Sequence, residues 1–253
     1  MCTLVILRRP DHEWPVIIGA NRDEMIGRTA LPPGRHWPDR DEVVAGMDLL
    51  AGGSWLGVND WGLAAAVLNR QGSLGPDAAM RSRGELVLEA LDHADAVAAA
   101  AALAELDPAA YRTFNLIVAD NRDGFWLRHA GTGRVEVHPL GDGLSLVASG
   151  DIGDTGESET RRLVLARPRF EAAAPPDPDR GEWTGWEELL GDPSRPAGEP
   201  ENAALRFRTG HGYGTVSSAL VALPAIGAGE RRPHYRYAQW LPEPMPWRDI
   251  LPG

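Results

Sequence analysis

Lysine is absent from the chain, and all 25 basic side chains are arginine. That excludes a Schiff-base amine and the lysine of a phosphate-binding P-loop. Cysteine is nearly absent: Cys2 stands alone, which allows no intrachain disulfide and no cysteine-built zinc or iron–sulfur cluster, and suits a reducing compartment. The seven histidines show no H-x-x-x-H spacing, so no metal site is expected. No G-x-S-x-G elbow occurs either. Positive charge is short, with 25 basic against 36 acidic residues and a net charge of -11, so no basic field exists to hold nucleic acid or an anionic lipid surface. No apolar run approaches the roughly 18 to 20 residues that span a bilayer. No basic leader precedes the short apolar stretch before Arg8 and Arg9, so no signal peptide is read. The expectation is a soluble cytoplasmic protein with no membrane span.

What is present is enough apolar material for a core: 253 residues, 43% of them hydrophobic. The apolar runs are short and continuous: Leu4 to Leu7, Val16 to Ile18, Leu63 to Leu68, Leu116 to Ala119, Leu144 to Ala148 and Ala219 to Leu223. Such runs predict strands buried on both faces. Ser82, with Glu85 three residues on and Leu86, Leu88 and Leu91 following, predicts a capped helix, and an Ala-rich stretch from Ala94 to about Leu106 predicts a second helix or a continuation of the first. A third helix is expected from Glu159 to about Arg167, with Pro168 ending it. Phe114 to Ala119 and Phe125 to His129 flank a polar turn and predict an antiparallel pair. The stretches Pro175 to Pro178 and Gly191 to Pro200 read as surface loops that bound no separate core, so residues 1–253 form one expected domain of mixed α and β, with sheets inside and helices outside.

Three segments carry residues suited to chemistry. Cys2 follows the initiator methionine, which is generally removed before a small residue, so the mature chain is expected to begin with a free α-amine on the residue that bears the thiol. Reference pKa values near 7.7–8.0 and about 8.5 let that amine accept the thiol proton at neutral pH. The plainer alternative makes Cys2 a small apolar strand residue beside Leu4 and Ile6; acylation of Cys2 has no polybasic neighbour to support it. Asn21-Arg22-Asp23-Glu24 follows an apolar run, where Asp23 can hold an amine and Arg22 an anion. An ion-paired turn is the alternative. Asn69 ends the run after Gly52-Gly53-Ser54-Trp55-Leu56-Gly57, where its amide can face an oxyanion or cap a turn.

Taken in order, Met1-Cys2-Thr3, Asn21-Arg22-Asp23-Glu24, Ala45-Gly46-Met47-Asp48, Gly52-Gly53-Ser54-Trp55-Leu56-Gly57, Gly62-Leu63-Ala64, Asn69-Arg70, Ser82-Arg83-Gly84-Glu85-Leu86 and Tyr213-Gly214-Thr215 resemble the NRDE family, which includes the transport and Golgi organisation 2 proteins. The resemblance implies an α+β fold of the N-terminal nucleophile hydrolase type, a four-layer αββα sandwich. A more distant similarity to penicillin V acylases and bile salt hydrolases implies catalytic roles for Cys2, Asp23 and Asn69. Three positions depart from those enzymes: Ala20 stands in place of an arginine, Gly150 follows Ser149 in place of an asparagine, and Val216 follows Tyr213-Gly214-Thr215 in place of a basic residue.

The function expected from this resemblance is hydrolysis or transfer of an acyl group from an amide or thioester of a small molecule. Cys2 is the nucleophile, its α-amine the base, Asp23 the orienting carboxylate and Asn69 the oxyanion donor; Arg22, Asn21 and Trp55 are the candidate substrate-binding residues. No metal or organic cofactor is required. The resemblance also implies two alternatives: a non-catalytic carrier of haem or of an acyl or lipid ligand, or a scaffold whose site has decayed.

Overall fold

The computed structural model describes residues 2–73, 77, 79–153, 160–227 and 231–252. In chain order its elements are β1 (Thr3–Arg8), β2 (Val16–Met25), β3 (Ala30–Gly34), β4 (Val43–Asp48), β5 (Leu56–Asn59), β6 (Ala64–Asn69), α1 (Gly84–Leu91), α2 (Ala96–Ala104), β7 (Phe114–Ala119), β8 (Gly124–His129), β9 (Glu136–Pro139), β10 (Gly143–Val147), α3 (Thr160–Ala172), α4 (Thr184–Leu190), β11 (Tyr213–Leu223), β12 (His234–Gln239) and β13 (Met245–Pro252). The strands form two antiparallel sheets, ordered β10-β1-β2-β11-β12-β13 and β3-β4-β5-β6-β7-β8-β9.

Strand alternation divides the apolar runs between three cores. Leu4, Ile6, Val16 and Ile18 of the first sheet meet Val44, Leu56, Val58, Ala64 and Ala66 of the second. Their neighbours in sequence turn outward. Val5, Ile17 and Leu220 pack beneath Ala166 and Phe170 of α3 and Trp186 and Leu190 of α4, while Val43, Ala65 and Val118 pack beneath α1 and α2. Both faces of both sheets are therefore covered, and the architecture is the expected four-layer αββα sandwich. Gly19 makes room in β2 for Trp186, whose ring carbon lies 3.1 Å from where a Cβ would stand.

Two of the helical expectations need correction. α1 starts at Gly84 with Arg83 as the N-cap residue, one position later than Ser82 capping predicts, although Ser82 Oγ does accept the Gly84 N–H at 3.2 Å. Of the two alternatives for the Leu- and Ala-rich stretches, the structure shows separate helices, the second capped by Asp95, which accepts from Ala98 N–H at 2.8 Å. Glu159 lies outside the described residues, and α3 runs through Pro168 to Ala172 instead of stopping before it. Pro168 and Val164 are exposed while Arg162, Ala166 and Phe170 are buried. The lost hydrogen bond thus falls on the wet face, and the buried stripe carries the helix onward. No helix among the described residues is long and apolar enough to cross a membrane.

Glycines let backbones meet where the loop before β5 crosses the start of α1. A Cβ on Gly53 would stand 2.4 Å from the Gly84 carbonyl carbon, and Ser54 N–H donates to Gly84 O at 2.9 Å. Gly53→Ala is expected to cost about 1–3 kcal/mol through this overpacking, whereas Gly141→Ala, with nothing within 4 Å, should stay within roughly 0.5 kcal/mol of wild type. Urea unfolding midpoints check both, and equal midpoints would contradict the close approach.

Candidate active site

The polar cluster Asn21 to Glu24 is strand, continuing β2 to Met25, which sets aside the alternative of an ion-paired turn. Its backbone pairs with β11, Tyr213 opposite Met25 and Thr215 opposite Asp23. Hydrogen bonding to β11 extends β2 beyond its apolar part, and alternation then sends consecutive side chains to opposite faces. Val216 is an extra residue here: the register shifts between Thr215 and Ser217, so Thr215 accompanies Asp23 and Ser217 accompanies Arg22.

On the helix face, Asp23 is removed from water. Its Oδ2 lies 2.6 Å from Arg162 Nη1, with 5% of the arginine side chain and none of the aspartate exposed. Thr215 Oγ1 donates to Asp23 Oδ1 at 2.8 Å. Arg162 also donates to Thr3 Oγ1 at 2.9 Å and to Asn202 O at 2.7 Å, and its guanidinium stacks 4.7 Å from the centre of the Phe207 ring. Asn21 shares this face. Its amide donates to Leu190 O and Leu205 O and accepts from Ser218 Oγ, which ties β2 to the helix layer and leaves the amide facing away from the inter-sheet space.

On the opposite face, Cys2 and Trp55 pack against the inter-sheet core. The Cys2 sulfur is 4.0 Å from the Asp23 carbonyl oxygen. Arg22, 7% exposed, stacks 4.3 Å above the centre of the Trp55 ring, and its Nη2 lies 3.6 Å from Asp48 Oδ2. Arg28 Nε–H also donates to Asp48 Oδ2 at 2.6 Å, while Oδ1 accepts from the Leu50 and Ala51 N–H groups. Trp55 is held against the missing side chain of Gly46, where a Cβ would approach the ring to 2.4 Å.

Burial pushes the Cys2 thiol above its ordinary pKa, and the Asp23 charge adds to that; the terminal ammonium and Arg22 pull the other way. Asn69 closes β6 opposite Phe114, half-buried, and its amide makes no hydrogen bond among the described residues. The loop beyond it reaches the same end of the sandwich as Cys2: Gln71 N–H donates to Ser149 O at 3.1 Å, and Ser149 lies two residues past Val147, the partner of Leu4.

The structure therefore brings Cys2, Arg22 and Trp55 to one face, sets Asp23 and Asn21 on the other, and places Asn69 at the end of a strand in the facing sheet. Sequence reasoning gave no role to Arg162, Thr215, Asp48 or Arg83. Three of these stand inside motifs quoted for the family resemblance. Arg162 had only one signal, a cation at helical spacing from the apolar residues Ala166 and Phe170. Among the described residues no group of three His, Cys, Asp or Glu side chains is placed to hold a metal ion.

Residues 1–153 match the family model described as Transport and Golgi organisation 2. The chain is 35% identical over 120 residues to the Bos taurus Transport and Golgi organization protein 2 homolog and 33% identical over 113 residues to that of Homo sapiens. Each match covers 43% of this chain and 40% of the relative, so the chain spans less than half the length of these relatives. Among solved structures it is similar to a Caenorhabditis elegans N-acylethanolamine-hydrolyzing acid amidase ortholog, with TM-score 0.58, 14% identity and coverage of 90% of this chain and 96% of that one. A mutant conjugated bile acid hydrolase from Clostridium perfringens aligns with TM-score 0.51 and 12% identity, covering 99% and 92%. At such identities the likeness is one of fold.

Removing one partner from a buried pair strands the other, at a cost of about 3–5 kcal/mol. Arg162→Met is expected to lower stability by that amount. Arg161→Met breaks a pair in which the arginine is 48% exposed, and should cost no more than about 1 kcal/mol. Chemical denaturation of the two variants checks the contrast; equal losses would contradict it.

Proposed function

The chain belongs to the Transport and Golgi organisation 2 family, and from the geometry of its site we propose that it is an acyl-transfer enzyme, cleaving an amide or thioester of a small molecule through Cys2. The observation that carries this reading is the placement of Cys2: its side chain lines the inter-sheet face beside a fixed guanidinium, while the carboxylate of Asp23 is anchored behind the strand that holds the chain's start. The names of the two fold neighbours, an amidase and a hydrolase, support the same class of reaction.

Once methionine is removed, the α-amine of Cys2 takes the thiol proton and the sulfur attacks the carbonyl carbon. The amine returns that proton to the leaving nitrogen or sulfur as the bond to carbon breaks, which leaves a thioester on Cys2. Water, or another acyl acceptor, gives up a proton to the amine, attacks the thioester and frees the thiol. Asp23, held by Arg162 and Thr215, orients the amine. Asn69 donates its amide to the tetrahedral oxyanion, a contact of a kind worth about 2.7–4 kcal/mol in other enzymes. Arg22 and Trp55 form one wall of the substrate site, and Asn21 braces β2 from behind.

Intact-mass measurement before and after an activated acyl ester tests the reading. The expected masses show methionine lost and one acyl group gained, with no gain in a folded Cys2→Ala variant. Retained methionine throughout, or equal acylation of Cys2→Ala, would overturn it.

A pH dependence follows from the raised thiol pKa. With methionine retained, alkylation of Cys2 by iodoacetamide should reach half its maximal rate above the ordinary thiol value of about 8.5. Removing methionine places an ammonium on the same residue and should move that midpoint down. Rate–pH profiles of the processed protein and of a form extended at its N-terminus compare the two, and coincident midpoints would contradict the coupling of amine and sulfur.

A further inference from the structure

Arg83 is the N-cap residue of α1, and the contact between Gly53 and Gly84 sets it beside the segment that carries Trp55. It is half-buried, yet none of its hydrogen bonds goes to a carboxylate. Nη1 alone donates, to Ser73 O at 2.9 Å, Ser73 Oγ at 2.8 Å and Thr113 O at 3.0 Å. The other edge of the guanidinium, the parallel Nε–H and Nη2–H pair, makes no hydrogen bond or ion pair among the described residues. That edge is the fork which matches the two oxygens of a carboxylate or of a phosphate.

Its surroundings do not neutralise it. Burial, and then Arg112, push the Arg83 pKa down to about 10, and Cys2 and Glu24 are among the groups close enough to act on it. Arg112 and Arg28 add positive charge around it against the carboxylate of Glu24, and Arg28 is itself paired with Asp48. The excess is positive in a chain of net charge -11, whose wider field repels anions.

We propose that the free fork of Arg83 binds an anionic group, a carboxylate or a phosphate, carried by the acyl compound that Cys2 attacks. Arg83 is thereby a specificity-determining residue, with Ser73 and Thr113 fixing one edge of its guanidinium so that the other is presented without further ordering. The identity of the site rests on the reading of Cys2 as the reacting group; the anion binding itself does not.

Calorimetric titration of the Cys2→Ala protein with glutarate and, separately, with inorganic phosphate tests the proposal without any acyl transfer. Binding of at least one anion is expected, and the tighter of the two identifies the substrate's group. Arg83→Gln should weaken it by about tenfold or more, as loss of charged hydrogen bonds does. Arg83→Lys keeps the charge but not the fork, and should weaken glutarate by more than phosphate. Arg35→Gln, an equal change of net charge at an exposed pair with Asp60, should leave both affinities in place. No binding by the parent protein, or unchanged affinity in a folded Arg83→Gln, overturns the proposal; if that variant does not fold, unchanged glutarate affinity in Arg83→Lys does so. Failure of acylation at Cys2 with anion binding intact would instead overturn the enzymatic reading.

Discussion

A carboxylate and a guanidinium, both withdrawn from water, join the helix layer to the first strands of the chain. Asp23 and Arg162 are each too costly to bury alone, and their contact is offset against that cost only because Thr215, Thr3 and Asn202 complete the hydrogen bonding. The network draws β1, β2, β11 and α3 to one point. Through Thr3 it also fixes the first residue of β1, directly after Cys2.

The same strand serves the other face. Arg22, adjacent to Asp23 in sequence, is turned by alternation into the inter-sheet space, where Trp55 stacks on it and Asp48 draws it across to the second sheet. Trp55 can lie there because Gly46 has no side chain, and the loop that carries it can approach α1 because Gly53 and Gly84 have none. The family's short motifs thus form a connected chain of contacts. A side chain added at one glycine would displace a ring, and the displaced ring would release a guanidinium.

Much of the fold was legible in the sequence because both sheets are covered on both sides, so their strands read as continuous apolar runs, and the core assignments of Leu4, Val16, Ala64 and Ala219 needed only that signal. Asn21 to Met25 escaped because polar residues can extend a strand when a neighbour supplies the hydrogen bonds, and β11 lies about 190 residues further on. Pro168 misled because its cost depends on which side of the helix is wet. Cys2, Arg22 and Trp55, each named from a motif, come to one face of the first sheet. The opposite facing of Asn21 and Asp23 follows from β2 being strand there, and the role of Arg162 comes from a contact across 139 residues that no local pattern encodes.

The most direct measurement is a crystal structure of the processed chain after brief exposure to a slowly hydrolysed amide. Electron density for a thioester on the Cys2 sulfur is expected, with the α-nitrogen within hydrogen-bond reach of the Asp23 carboxylate and the carbonyl oxygen directed at the end of β6. An unmodified sulfur with the amide bound elsewhere, or an α-nitrogen turned away from Asp23, would contradict it.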